Sequence, residues 1–243
     1  MLLSAVERFS GTLFNLVFPD DCRLCEQPLT NISRIPVCPT CLALPKPLEA
    51  EFFCRACRTP FVDDYPLDEH DLCTVCRESL VNFDTAYSFG SYEGPLRKLI
   101  HLFKYGKVET LAQPLSRLLA KALPLDHNFD LVIAMPMHWR KQWERGFNQA
   151  ELLANHLSRS YGIPLVPALD RIVDRGSQVG RSGEDRWLAV EGAFACTNPG
   201  VVRNRRLVIL DDVITTGATI SSCAVELAAA GAASVRAISI ARG

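Results

Sequence analysis

The chain has 243 residues, 48% of them hydrophobic and 22% charged, with a net charge of −1. That length suits one large or two modest domains of ordinary globular composition. The near-neutral charge excludes bulk basicity as a sign of nucleic-acid binding, and no segment is long and apolar enough to span a membrane as a helix. The balance is uneven along the chain. Residues 1–80 carry 7 Lys/Arg against 12 Asp/Glu, and residues 81–243 carry 19 against 15, so an anionic ligand is expected at the second part. Residues 1–18 are apolar at Leu2, Leu3, Val6, Phe9, Leu13, Leu16 and Val17, which predicts an amphipathic helix packed on the rest of the protein. With Glu7 and Arg8 inside it and no basic start, this stretch does not match a secretory leader.

Eight of the ten cysteines follow as four Cys-x-x-Cys pairs: Cys22/Cys25, Cys38/Cys41, Cys54/Cys57 and Cys73/Cys76. Two thiolates at this spacing grip one tetrahedral metal, and two pairs close the site. Eight ligands predict two structural Zn²⁺ ions that stabilise a region too poor in apolar runs to fold alone. Consecutive pairing closes the shorter loops and is expected on entropic grounds, although interleaved pairing fits the same gaps. An iron–sulfur cluster is the competing occupant. Disulfides do not suit an intracellular protein. Cys196 and Cys223 stand alone and read as packing residues.

After Cys76 the pattern changes. Residues 84–92 read as a strand, residues 94–103 as a helix opened by Gly94-Pro95, and residues 111–123 as a second helix. His101, Lys104 and Lys107 either face an anionic ligand or complement a helix end. Residues 130–135 form a short apolar strand. It leads into a basic loop with Met137, His138, Arg140 and Lys141 as diphosphate-loop candidates, and then into a helix over 149–161. Arg140, Lys141 and Arg145 can neutralise a diphosphate, whereas His138 fits a general acid, a ligand contact or a plain loop residue. Trp139, Trp143, Phe147 and Trp187 read as core or lid packing, with base stacking as the functional alternative. Residues 171–194 are polar and glycine-punctuated, and are expected to act as a lid or to remain a surface loop.

The apolar run 207–210 predicts a buried parallel strand, 220–230 a helix and 235–240 a last strand. Between the first two lie Asp211, Asp212, Thr215, Thr216, Gly217, Ala218 and Thr219. A strand end meeting a helix start offers free N–H groups and a positive dipole, which suit a phosphate. Two carboxylates there suit a diol or Mg²⁺. The segment resembles the PRPP-binding motif of type I phosphoribosyltransferases (PRPP being 5-phosphoribosyl 1-diphosphate). Together with the cysteine pairs, Tyr92-Glu93-Gly94-Pro95, Lys104-Tyr105 and Arg145-Gly146-Phe147-Asn148-Gln149, it resembles the competence protein F (ComF) family.

The resemblance implies an α/β fold, a parallel twisted sheet flanked by helices, preceded by a small zinc-ribbon domain. The expected division is 1–80 for the N-terminal helix and double zinc ribbon, and 81–243 for the phosphoribosyltransferase-like part. The resemblance also implies a cytoplasmic protein linked to DNA uptake. By position, Asp211, Asp212 and Arg145 would be catalytic and residues 215–219 would cradle the 5-phosphate, with Mg²⁺ assisting phosphoribosyl transfer to an unknown acceptor. The rival expectation is a non-catalytic PRPP or nucleotide sensor that binds single-stranded DNA or DNA-uptake proteins.

Overall fold

The computed structural model describes residues 21–29, 33–78, 81–124, 128–173, 187, 190 and 192–243. The helix expected at 1–18 and most of the expected lid lie outside the described residues.

The cysteine-rich region contains α1 (Pro39–Ala43), the antiparallel pair β1 (Phe52–Phe53) and β2 (Pro60–Phe61), and α2 (Thr74–Arg77). It is built from one device used twice. After each leading Cys-x-x-Cys turn a left-handed residue follows, Glu26 at φ 59° and Arg58 at φ 53°. Each donates its N–H to the carbonyl of the first cysteine, at 2.8 Å to Cys22 and 2.9 Å to Cys54. The second pair then opens a short helix, with Cys38 or Cys73 as its N-cap. The Cys38 N–H donates to Cys22 Sγ at 3.3 Å, and the Cys73 N–H to Cys54 Sγ at 3.4 Å. The four sulfurs of each consecutive set therefore converge.

Residues beyond 81 supply β3 (Thr85–Ser91), α3 (Gly94–Lys104), a 3-10 turn (Glu109–Leu111), α4 (Ala112–Ala122), β4 (Leu131–Ala134), α5 (Trp139–Arg145), α6 (Gln149–Tyr161), β5 (Leu169–Arg171), β6 (Phe194–Cys196), α7 (Pro199–Val202), β7 (Arg206–Ile214), α8 (Ala218–Ala229) and β8 (Ser234–Arg242). The main sheet has the order β3-β8-β7-β4, and every neighbouring pair is parallel. A strand covered on both faces must be apolar at successive positions, and Leu207, Val208, Ile209 and Leu210 are all essentially unexposed. Each such side chain contributes about 1.5–3 kcal/mol of burial. Helices α4 and α6 pack on each other and on the sheet, and α8 packs on β8 and β6. This is the expected parallel sheet flanked by helices. Among the described residues no helix is long and apolar enough to cross a membrane.

Both outer strands have neighbours that are not strands of this sheet. Along β3, Leu48 donates its N–H to Phe89 O at 2.7 Å, and Ala86 donates to Ala56 O at 2.9 Å. Gly90 permits this approach, because a Cβ there would lie 2.7 Å from Lys46 O. Along β4, Val132 donates to Pro164 O at 2.9 Å and accepts from Val166 at 3.0 Å.

Three elements differ from the sequence reading. The strand expected at 207–210 continues to Ile214, because Asp211, Val213 and Ile214 pair with β8 at Ser239, Ala241 and Arg242. The two aspartates thus sit inside the final stretch of a strand rather than after it. The basic loop contains α5, which Gly146 ends at φ 90°. The flanks of the 171–194 segment form the antiparallel pair β5–β6.

Candidate functional site

The C-terminal ends of β4 and β7 and the starts of α6 and α8 meet around a cavity of about 890 Å³. Asn148 fixes one wall. Its Oδ1 accepts the Ala150 N–H at 3.1 Å, capping α6, while its Nδ2 donates to Met135 O at 3.1 Å and ties the helix to β4. Gly217, at φ 81°, is the N-cap of α8 and lets the chain turn sharply from β7.

Of the residues singled out from sequence, Asp211, Asp212, Thr215, Thr219, Arg145, Lys141 and Met137 line the cavity. Thr216 turns back on the chain, its Oγ1 accepting the Ala218 N–H at 3.3 Å. Gly217 and Ala218 supply the backbone of that turn. His138 and Arg140 are outside the cavity wall. His138 caps α5 by accepting the Arg140 N–H at 3.3 Å, and the Arg140 guanidinium lies over the Trp139 ring at 5.2 Å. Trp139 and Trp143 are 66% and 85% exposed, so neither is core. Phe147 is buried beside Phe103, with ring centroids 5.5 Å apart, and Cys223 is buried with its Sγ 3.6 Å from Met135 Sδ.

The carboxylates are not equivalent. Asp212 is buried and paired with Lys104 from the end of α3, Nζ to Oδ2 at 2.8 Å. Burial pulls the Lys104 ammonium down, but the Asp212 charge, reinforced by Asp211, outweighs it and raises its pKa. Lys104 is therefore charged and committed to Asp212. Burial, and then the charge of Asp212, push the Asp211 carboxyl up to about 7, against the opposing pull of Lys104 and of the Asp212 N–H that Asp211 Oδ1 accepts at 2.8 Å. Near neutral pH Asp211 is thus poised between its two forms. On the α3 side His101 contacts the Tyr92 hydroxyl at 3.0 Å, and burial with the charges of Arg97 and Lys104 lowers its pKa, so it stays a neutral imidazole.

Two cavity residues, Gln149 and Arg171, escaped the sequence reading as site candidates. Gln149, 1% exposed, accepts from Arg145 Nη1 at 3.0 Å through Oε1. A guanidinium only donates, so this bond fixes the amide orientation. Its Nε2 is left buried with no partner among the described residues, as is Nη2 of Arg171. Lys104, read from sequence as facing an anionic ligand or complementing a helix end, lines the cavity with its charge taken by Asp212. The long-range Asp212 contact carried no signal in either segment alone.

The cysteines form two groups, Cys22/Cys25/Cys38/Cys41 and Cys54/Cys57/Cys73/Cys76, each with its sulfurs within 4.8 Å of one another. This is the consecutive pairing. Tetrahedral zinc with bonds of about 2.3 Å places sulfurs about 3.8 Å apart. The Cys25–Cys38 and Cys57–Cys73 sulfurs are 3.8 and 3.7 Å apart, so both sets fit a closed structural zinc site.

A parallel sheet whose strand–turn–helix edge carries Asp-Asp and Thr-Thr-Gly-x-Thr, fronted by two four-cysteine clusters, defines a phosphoribosyltransferase-like α/β protein with a metal-binding front. No protein-family model matches the chain. It is 30% identical over 231 residues to the DNA utilization protein YhgH of Shigella flexneri, covering 91% of this chain and 96% of that one. It is 32% identical over 178 residues to Competence protein F of Haemophilus influenzae, covering 70% and 78%. Among solved structures it aligns with the glutamine phosphoribosylpyrophosphate amidotransferase from B. subtilis at a TM-score of 0.37 and 25% identity, over 54% of this chain and 26% of that one. The chain belongs to the competence protein F family.

Proposed function

We propose that the cavity binds PRPP and that the protein transfers its phosphoribosyl group to a nitrogen nucleophile. The observation that carries this is the meeting, in one cavity, of two inequivalent carboxylates, a threonine-rich helix start and cationic side chains. Residues 215–219 receive the 5-phosphate through backbone N–H groups and hydroxyls. Asp212, held by Lys104, accepts from a ribose hydroxyl. Arg145 and Lys141 take the diphosphate, and Gln149 Nε2 and Arg171 Nη2, without partners among the described residues, are donors for oxygens of either reactant.

The acceptor nitrogen forms a bond to ribose C1 as the C1–O bond breaks. Diphosphate leaves with the electron pair, and the nitrogen's proton passes to a base or to solvent. Asp211 would offer a hard oxygen ligand to Mg²⁺, since Asp212 is already paired, and the ion would supply charge neutralisation of the diphosphate. We further propose that residues 1–80 and 81–243 are two units, and that the protein works in the cytoplasm, where thiols stay reduced.

The test is calorimetry with PRPP and Mg²⁺, followed by diphosphate release with a panel of nitrogen bases. Base-dependent release is the expected result. If the Asp211→Asn and Asp212→Asn proteins bind PRPP as tightly as wild type, the assignment is wrong.

A second reading rests on Trp139 and Trp143. They lie one helical turn apart on α5, exposed, with Arg140 over the first ring and the cavity beside them. Exposed rings flanked by cations suit stacking with single-stranded DNA. The names of the relatives from Shigella and Haemophilus agree with a role in DNA uptake or use. Salt-sensitive quenching of tryptophan fluorescence by an oligonucleotide, lost in Trp143→Ala, is the expected signature.

A further inference from the structure

The second four-cysteine cluster is joined to the phosphate turn by a short run of contacts. Cys57 Sγ lies 2.9 Å from Thr59 Oγ1, and Thr59 Oγ1 lies 2.8 Å from Nη2 of Arg242. A guanidinium only donates, so Thr59 accepts from Arg242. A metal-bound Cys57 thiolate has no hydrogen to give, so with metal in the cluster the Thr59 hydroxyl donates to Cys57 Sγ. The remaining Nε and Nη1 of Arg242 are buried without a partner among the described residues. A buried guanidinium so poorly bonded needs a nearby negative charge. Four thiolates on one Zn²⁺ carry a net charge of −2, and the Cys54/Cys57/Cys73/Cys76 set supplies it.

The same arginine is the last residue of β8. Its backbone pairs with Ile214, the last residue of β7, and its carbonyl accepts the Tyr92 N–H at 2.7 Å. Gly243 then donates its N–H to Ile214 O at 2.9 Å, and a Cβ built on Gly243 would meet Thr215 Cγ2 at 3.3 Å. The next residues are the turn 215–217 that opens α8.

We propose that Arg242 is a positioning residue through which the second zinc cluster holds the 215–217 turn, so that metal at that cluster and ligand at the turn are linked. Linkage is reciprocal: whatever the metal does for ligand affinity, ligand does for metal affinity. On the first cluster's side, the hydrogen bond from Thr110 Oγ1 to Arg34 O at 2.9 Å leads to the 3-10 turn Glu109–Leu111 rather than to residues 214–217. The ligand half of the proposal rests on the PRPP reading, whereas the metal half does not.

The test uses zinc-loaded full-length protein, wild type against Thr59→Val and Arg242→Met. Zinc transfer to a chromogenic chelator and amide hydrogen exchange across 214–219 are followed without ligand, and PRPP affinity is then measured by calorimetry. One of the two zincs is expected to leave at least about tenfold faster in both variants, in line with loss of an outer-shell partner. Exchange at 214–219 is expected to rise at least about fivefold in both, with exchange in β4 unchanged. Thr59→Val alters one hydroxyl, so it serves if Arg242→Met fails to fold. Unaltered exchange at 214–219 in a variant that sheds zinc faster overturns the proposal, as does unaltered zinc release. If the turn loosens as expected but wild type does not bind PRPP, the positioning role stands and the PRPP reading falls. If PRPP binds wild type and Thr59→Val equally, the linkage is overturned and the PRPP reading stands.

Discussion

The second four-cysteine cluster and the carboxylate cavity are both dense in polar groups, yet they are finished differently. At the cluster four buried sulfurs face one another at the spacing one ion needs, and backbone N–H groups complete the set. At the cavity an aspartate sits near its titration point, an amide and a guanidinium nitrogen lack partners among the described residues, and cations line an open space. A polar site with every valence answered is structural. One with valences left over is waiting for something to answer them. The first cysteine cluster falls between the two, since Cys25 is exposed while Cys22 and Cys41 are buried.

Metal removal should separate these regions most sharply. Cys54→Ser is expected to cost more than about 5 kcal/mol, because structural zinc binding is folding energy. Cys25→Ser, at the exposed corner of the first cluster, should cost less than half as much; equal losses in thermal unfolding would erase the distinction between the clusters. The next effect lies in the cavity. Lys104→Met leaves Asp212 buried without its partner and should cost about 3–5 kcal/mol. A Lys104→Met/Asp212→Asn double variant should recover much of that in urea unfolding, which would show the charge, not the packing, to be responsible.

Gly217→Ala should cost about 1–2 kcal/mol, because a side chain at φ 81° is strained, and it should weaken PRPP binding more than it weakens the fold. A separate effect is a slope with pH. Asp211 keeps its proton to about 7 when folded, against 3.8 for an ordinary aspartate. Between those values the folded chain holds more protons than the unfolded one, so this residue's contribution to stability is full below about pH 4 and is lost as pH rises to 7. Asp211→Asn should remove that fall, read as the difference in urea midpoint between about pH 5 and pH 8. A metal-bearing ligand needs the ionised form, so its affinity should rise over the same range.

The parts legible in the sequence are those whose signal is local. Paired cysteines announce their geometry by spacing alone. The run at 207–210 with Thr215, Thr216 and Gly217 announces a strand, a turn and a helix, and 149–161 matches α6 at both ends. What stayed hidden depends on partners far away. The extension of β7 past Asp211 is imposed by β8, since charged residues side by side are poor strand formers on their own. Lys104 and Asp212 meet although more than a hundred positions part them. The elevated Asp211 pKa is a property of the assembled wall, and β5 and β6 become strands only because each finds the other. Trp139 and Trp143 read as interior by residue type, whereas seven residues of helix capped by His138 turn them outward.

The hydrogen bonds that Leu48 and Ala56 make with β3 have a consequence for the protein's life in the cell. They cover a strand that would otherwise recruit its like from another molecule. Ala56 lies inside the second cysteine cluster, between Cys54 and Cys57, so zinc starvation or thiol oxidation would loosen that cover while the sheet behind it stays formed. The harm would then come from self-association of folded sheets rather than from loss of chemistry, and expression in metal-poor medium should yield inclusion bodies.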